Sequence, residues 1–128
     1  MYNVIFYKDQ KEGSSLEEEI AELGKQSATN KNARIVFNQI MLYIELLANR
    51  GNSLPQNYSK HIGGKLWELR PGNNRIFYFF NGDTIVLLHM FKKKTQKTPK
   101  VEIEKAEREI SNYLLSKEGY EDEKLGTI

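Results

Sequence analysis

The chain has 128 residues, a formal net charge of +2 and no cysteine. That length gives one domain with a single core, and the missing thiols exclude both a disulfide framework and a thiolate metal site. No run of about 18 apolar residues is present and the start lacks the apolar stretch of a signal peptide, so the expectation is a soluble, cytoplasmic protein with no membrane contact.

The charge is unevenly spread. Residues 60–100 hold nine Lys/Arg against two acids, 1–59 six against seven, and 101–128 four against eight. A basic strip on an otherwise near-neutral chain is the footprint of a polyanion-binding surface. Its basic residues sit in and beside predicted strands, not on an amphipathic helix, which favours nucleic acid over membrane headgroups.

In chain order, Met1–Tyr7 alternates Tyr2, Val4, Phe6 against Asn3, Ile5, Tyr7 and reads as a strand. Ser15 with Glu18 makes a capping box for a helix that buries Leu16, Ile20 and Leu23, with Gly24 as its stop. Asn30 or Asn32 caps a longer helix whose apolar positions (Ala33, Val36, Phe37, Ile40, Met41, Ile44, Leu47) recur at three and four, and Gly51 ends it. Residues 51–59 read as a loop and 60–64 as a basic, flexible approach to a sheet. Asn81-Gly82 is the two-residue loop of a type I′ hairpin, pairing Tyr78 with Ile85 and Ile76 with Leu87. Pro71-Gly72-Asn73-Asn74 turns residues 65–70 onto the same hairpin, giving an antiparallel meander. Thr98 as N-cap with Pro99 behind it opens a third helix with Ile103, Ala106, Ile110, Tyr113 and Leu114 on one face. Residues 116–128 read as a polar, acidic, flexible tail after a single domain over 1–115. The class is α+β, in the order β-α-α-β-β-β-α.

Alternation along the meander sorts its faces. Trp67, Leu69, Ile76, Tyr78, Ile85, Leu87, His89 and Phe91 form an apolar face to be covered by helices. Leu66, Glu68, Arg70, Arg75, Phe77, Val86, Leu88, Met90 and Lys92 form the other. There Arg70 and Arg75 become cross-strand neighbours, a costly pairing of like charges that suits an anion site. Alternatively, both are solvated strand ends paired to Glu68.

The residue inventory restricts the chemistry. The region offers only Glu68 and Asp83 as carboxylates, too few for a metal-dependent nuclease. There is no G-x-S-x-G and no phosphate-cradling glycine loop opening a helix. His89, on the apolar face, reads as a buried structural residue. Arginine and lysine remain. RNA is cleavable without metal because its own 2′-hydroxyl attacks the adjacent phosphate. The protein then orients the attack, stabilises the charge growing on phosphorus and moves two protons. Arginine's fork suits the charge, and a lysine crowded within Lys92-Lys93-Lys94 suits proton transfer.

Leu66-Trp67-Glu68-Leu69-Arg70, Asn74-Arg75-Ile76-Phe77-Tyr78, Ile85 to Lys94, Thr98-Pro99 and Glu102 to Ala106 together resemble the RelE/HigB-type toxins of bacterial type II toxin–antitoxin pairs, in particular the phage-associated HigB-like branch. The resemblance implies a RelE-like fold, a small mostly antiparallel sheet with two N-terminal helices on one face, a basic concave face opposite and a C-terminal helix. It implies a ribosome-dependent mRNA endoribonuclease that needs no cofactor or metal and inhibits translation. Its partners would be ribosome, mRNA and a cognate helix-turn-helix antitoxin, the last joined in a hetero-oligomer. The family's phosphate-contacting arginines fall on Arg70 and Arg75, and its basic residues after the last strand on Lys92, Lys93 and Lys94. With Lys92 or Lys93 assisting proton transfer, Lys60, His61, Lys65, Lys94 and Lys97 are expected to hold RNA. Where some relatives place a tyrosine as candidate base, this chain has Ile103, so a lysine or His61 would take the role. Two alternatives share the fold: a ParE-like toxin that binds DNA gyrase, and an RNA-binding module without cleavage.

Overall fold

A stretch such as Arg75-Ile76-Phe77-Tyr78-Phe79-Phe80 has no polar alternation, because the strand that carries it is buried on both faces. The structure, a computed structural model, describes residues 1–9 and 13–126, with side chains in the last helix up to Ser116. Its elements are β1 (Asn3–Phe6), α1 (Ser15–Gln26), α2 (Lys31–Arg50), a 3-10 turn (Gly51–Ser53), β2 (Ser59–Gly63), β3 (Leu66–Leu69), β4 (Asn74–Asn81), β5 (Thr84–Lys92) and α3 (Lys100–Gly126). The sheet order is β1-β5-β4-β3-β2, with β1 parallel to β5 and the other pairs antiparallel. This is the expected RelE-like α+β class with one more strand. Residues 60–64, read as a flexible approach, lie almost wholly in β2. That edge strand is largely exposed and shows no apolar repeat to betray it.

Two cores sandwich the sheet. Leu16 and Ile20 of α1 and Ile40 and Leu47 of α2 pack on Leu69, Ile76, Tyr78, Ile85 and Leu87. On the opposite face Ala106 and Ile110 of α3 cover Phe77, Phe79, Val86 and Leu88. Each large apolar side chain so buried contributes about 1.5–3 kcal/mol. The face expected to be basic and concave is therefore apolar through its middle, and its basic residues are confined to one end.

The β4–β5 hairpin differs from expectation in register. Asn81 pairs with Thr84 and Tyr78 with Leu87, so the loop is Gly82-Asp83 and not Asn81-Gly82. Gly82 (φ 61°) alone enters the left-handed region there. Type I′ needs both central residues in that region, whereas a glycine-first loop fits type II′. Further along, Ile76 pairs with Met90, so Phe77 on β4 opposes both Leu88 and His89 on β5. This β-bulge reverses the facing of everything after it. Met90 turns to the α1/α2 core, while His89 and Phe91 turn to α3. His89, 3% exposed, is held there between Glu109 (Nδ1 to Oε1, 2.5 Å) and Glu102 (Nε2 to Oε1, 3.4 Å).

Helix ends follow local chemistry with small offsets. Ser14, one residue before the expected cap, accepts from the Glu17 amide at 3.1 Å. Gly24 does not stop α1; it lets Phe37 of α2 approach, where a Cβ would sit 3.1 Å from the ring. Asn30 caps α2 through the Ala33 amide at 3.0 Å. Pro99 O accepts from Glu102 and Ile103, so Pro99, not Thr98, opens α3. The domain boundary expected at residue 115 falls inside α3, and of the expected tail the side chains from 117 and all of 127–128 lie outside the described residues.

Gly51 ends α2 at φ 57°, and a Cβ there would meet the Tyr2 ring at 2.5 Å. Gly51→Ala is expected to cost about 1–3 kcal/mol in denaturant unfolding, from backbone strain plus the displaced ring. On α1, Glu19 keeps much of its surface exposed, yet burial lifts it above the usual carboxylate range against the pull of Lys105 and His89. Ionised Glu19 therefore weighs against folding above its folded pKa, and the cost disappears below its unfolded pKa. Glu19→Gln should stabilise the protein near pH 7 by at most a few tenths of a kcal/mol after solvent screening, with no difference left near pH 3.5, as thermal melts at both pH values would read.

Candidate anion-binding site

Leu69 pairs with Ile76 as the last rung of the β3–β4 ladder. One position further, Arg70 and Arg75 stand opposite each other, on the face that Glu68 shares by alternation. Lys60 of β2 pairs across from Glu68 and is exposed. These four side chains form the end of the α3 face that the aromatic core leaves uncovered.

Glu68, 1% exposed, is the hub. Its Oε1 lies 3.4 Å from Arg70 Nε and 3.6 Å from Arg75 Nε, while Oε2 accepts from the Thr98 hydroxyl at 2.8 Å. Each arginine is also tied at Nη1: Arg70 donates to Gln56 O at 3.2 Å, and Arg75 to Gly72 O at 2.6 Å and Asn74 O at 2.9 Å. Both Nε atoms are buried, though the side chains are 23% and 13% exposed, so the outward part of each guanidinium is its Nη end. Burial pulls Arg75 below the usual guanidinium range; Glu68 opposes this, Arg70 reinforces it and the Tyr43 phenol opposes it. The Tyr43 and Tyr58 rings pack tilted at 42°, centroids 5.1 Å apart, beside the site, and Tyr58 O accepts from the Arg70 amide at 2.9 Å.

Not every predicted residue gathers here. The bulge sends Lys92 to the opposite face, where it lines a groove with Glu18, Glu19 and Glu22 of α1. Alternation returns Lys93, anchored by its amide to Asn73 O at 2.8 Å, to the side of Arg75. The crowding expected of Lys92-Lys93 is thereby split across the sheet. His61 pairs with Trp67 on the α1/α2 face, packs tilted against its ring with centroids 4.8 Å apart and bonds Gly64 O at 2.8 Å, so the sheet separates it from the arginines. Lys65 sits in the β2–β3 turn, about 16 Å of strand away from Arg70. Lys94 and Lys97 are exposed in the segment leading to α3.

Sequence reasoning named Glu68 only as the partner of the two arginines in the alternative reading of solvated strand ends, and Thr98 only as a helix cap. Alternation already set Glu68 on the arginines' face, but nothing local signalled that Thr98 would turn from the helix to it. Among the described residues no cluster of three His, Asp or Glu is placed to hold a metal ion. No described helix is long and apolar enough to cross a membrane.

The fold is that of a small RelE-like α+β domain. Residues 28–111, roughly two thirds of the chain, match the family model of phage-derived Gp49-like proteins (DUF891), and the chain belongs to that family. It is a RelE/HigB-like toxin family, and membership implies an antitoxin partner. No curated protein matches the chain.

The split of the two lysines is measurable with a labelled oligouridylate in a salt titration. Lys93→Ala should weaken binding and flatten the slope of log K against log salt by about 0.7, the single-strand value for one phosphate. Lys92→Ala, removing a charge that faces acids, should leave affinity within about twofold.

Proposed function

We propose that this chain is the toxin of a toxin–antitoxin pair and an mRNA endoribonuclease acting on the ribosome. The 2′-hydroxyl of the substrate attacks its own phosphate; Arg70 and Arg75 grip that phosphate and stabilise the charge that develops on it. One observation carries the reading. Arg70 and Arg75 stand opposite each other at a sheet end, each with Nε buried beside Glu68 and Nη1 bonded to backbone carbonyl oxygen, and among the described residues Nη2 of neither has a hydrogen-bond partner. Donors fixed before the reaction lower its barrier because none has to reorganise as charge appears. Lys93, on the side of Arg75 by alternation, suits proton transfer, and Lys60, Lys94 and Lys97 suit the flanking backbone of messenger or ribosomal RNA. Lys92 and His61, on the far face, have no direct part. Metal is not required, and a helix-turn-helix antitoxin in the same cytoplasm would neutralise the protein.

The test is brief induction in cells followed by mapping of new 5′ ends. Cuts in phase with codons are expected in translated mRNA and not in untranslated RNA. Arg70→Ala should reduce them by about 100-fold or more, the usual cost of one transition-state donor, while the melting profile keeps its shape. Growth arrest with intact mRNA would instead favour a protein target such as gyrase.

A further inference from the structure

We propose that Glu68 is a positioning residue: a buried internal anion whose charge draws the Nε edges of both arginines inward and so aims their Nη ends at one phosphate. The inference rests on the nuclease reading for what the arginines act on, but not for how they are held.

The distribution of contacts separates this role from that of a general base. Oε1 faces two guanidiniums and Oε2 is taken by Thr98. At 1% exposure the carboxylate has no path to a substrate hydroxyl. The same distribution argues against mere packing. A buried ion pair is no more stabilising than well-packed apolar side chains, so a carboxylate here is poorly explained by stability. Its charge matters in another way. Two arginines facing each other repel; one carboxylate beside them lowers the charge of the trio to +1, and Lys60 across from Glu68 adds a further positive charge for a phosphodiester anion. The ion pairs also fix which edge of each fork remains. Nε is buried beside the carboxylate at ion-pair distance without a hydrogen bond, Nη1 donates to backbone carbonyls, and among the described residues Nη2 of neither arginine has a hydrogen-bond partner, which leaves that group on each for a phosphate oxygen.

Thr98 makes the arrangement tripartite. Its hydroxyl, on the segment that enters α3, fixes the carboxylate's second oxygen and couples the loop of Lys93, Lys94 and Lys97 to the arginines. Placement of the phosphate and of the basic loop is thereby set by a single side chain.

The experiment compares the full chain with Glu68→Gln, which keeps shape and the Thr98 acceptor but not the charge, and with Thr98→Val as a second, milder variant should Glu68→Gln fail to fold. Three quantities are read: arginine Nε–H resonances by 15N NMR, cleavage of mRNA in a translating extract, and affinity for a 2′-O-methyl oligouridylate that cannot be cut. Glu68→Gln should move the Arg70 and Arg75 Nε–H signals together and speed their exchange with water. Cleavage should fall about 100-fold, the scale of a misplacement near 1 Å, while oligouridylate affinity is equal or higher with an unchanged salt slope. Thr98→Val should shift the same signals with a smaller loss of cleavage. Undiminished cleavage in a folded Glu68→Gln would overturn the proposal. So would parallel loss of melting temperature, binding and cleavage, which marks a purely structural residue. If the unaltered chain cuts no RNA, the nuclease reading fails by itself, and the NMR arm still decides. Nε–H signals that respond to oligouridylate in the unaltered chain but not in Glu68→Gln support positioning, and identical responses refute it.

Discussion

The fold depends on burying β4 and β5 on both faces at once. Ile76, Phe77, Tyr78 and Phe79 are all fully buried, as are Ile85, Val86 and Leu87. Neither side of this hairpin can face water, so α1 and α2 must cover one side and α3 the other. An 8-residue strand against a 9-residue strand also leaves an extra residue to place, and the bulge at Leu88-His89 absorbs it. Beyond that point Met90 serves the first core and Phe91 the second. The bulge thus decides how α3 is fastened, since it delivers His89 to Glu102 and Glu109 on one helix face.

The arginine site lies at the end of that double-sided core for a related reason. The ladder between β3 and β4 stops at Leu69 and Ile76, and the next two residues have no further sheet to join. A pair of like charges is tolerable there only with a counter-charge. The structure supplies it from two rungs inward, where Glu68 is already turned to the same face. Arg75 bends back to the carbonyls of its own turn, and Arg70 reaches the carbonyl of Gln56 before β2. The guanidiniums are therefore held by backbone atoms of two loops and one buried carboxylate, all of them fixed by the sheet. Such anchoring distinguishes this pair from two solvated surface arginines.

Much of this was legible in the sequence where physics acts over short range. The helix faces of α1, α2 and α3 follow three-and-four spacing, Asn30 caps and Gly51 terminates α2, and alternation put Arg70 opposite Arg75. The misreadings have a common cause. Asn81-Gly82 is a strong type I′ signal, but the loop moved one residue on because the strands' long-range packing fixed the register, and local turn preference gave way. The bulge, a tertiary accommodation, has no signature in Leu88-His89-Met90. It alone reversed the placement of Lys92. In β2, Ser59-Lys60-His61-Ile62-Gly63 has the composition of a loop because an exposed edge strand need not display an apolar face.

The span matched by the Gp49-like family, 28–111, bears on how site and scaffold divide. It contains α2, all of β2 to β5 and the first turns of α3 through Ile110, hence both arginines, Glu68, Thr98 and the buried second core except Tyr7. It leaves out β1 and α1, which contribute Val4, Phe6, Leu16 and Ile20 to the first core. The α3 face carries the arginines at its end, and every buried residue of its core but Tyr7 comes from the matched span; the α1/α2 face, partly built from outside that span, carries none of the Glu68 ion pairs and reaches the arginines through Tyr43 and Tyr58. The separation of the two faces is set by the backbone register of β4 and β5. The bulge is where that separation is weakest: its two extra-paired residues touch α3, and the strand beyond it leads to both Lys92 in the α1 groove and Lys93 beside the arginines.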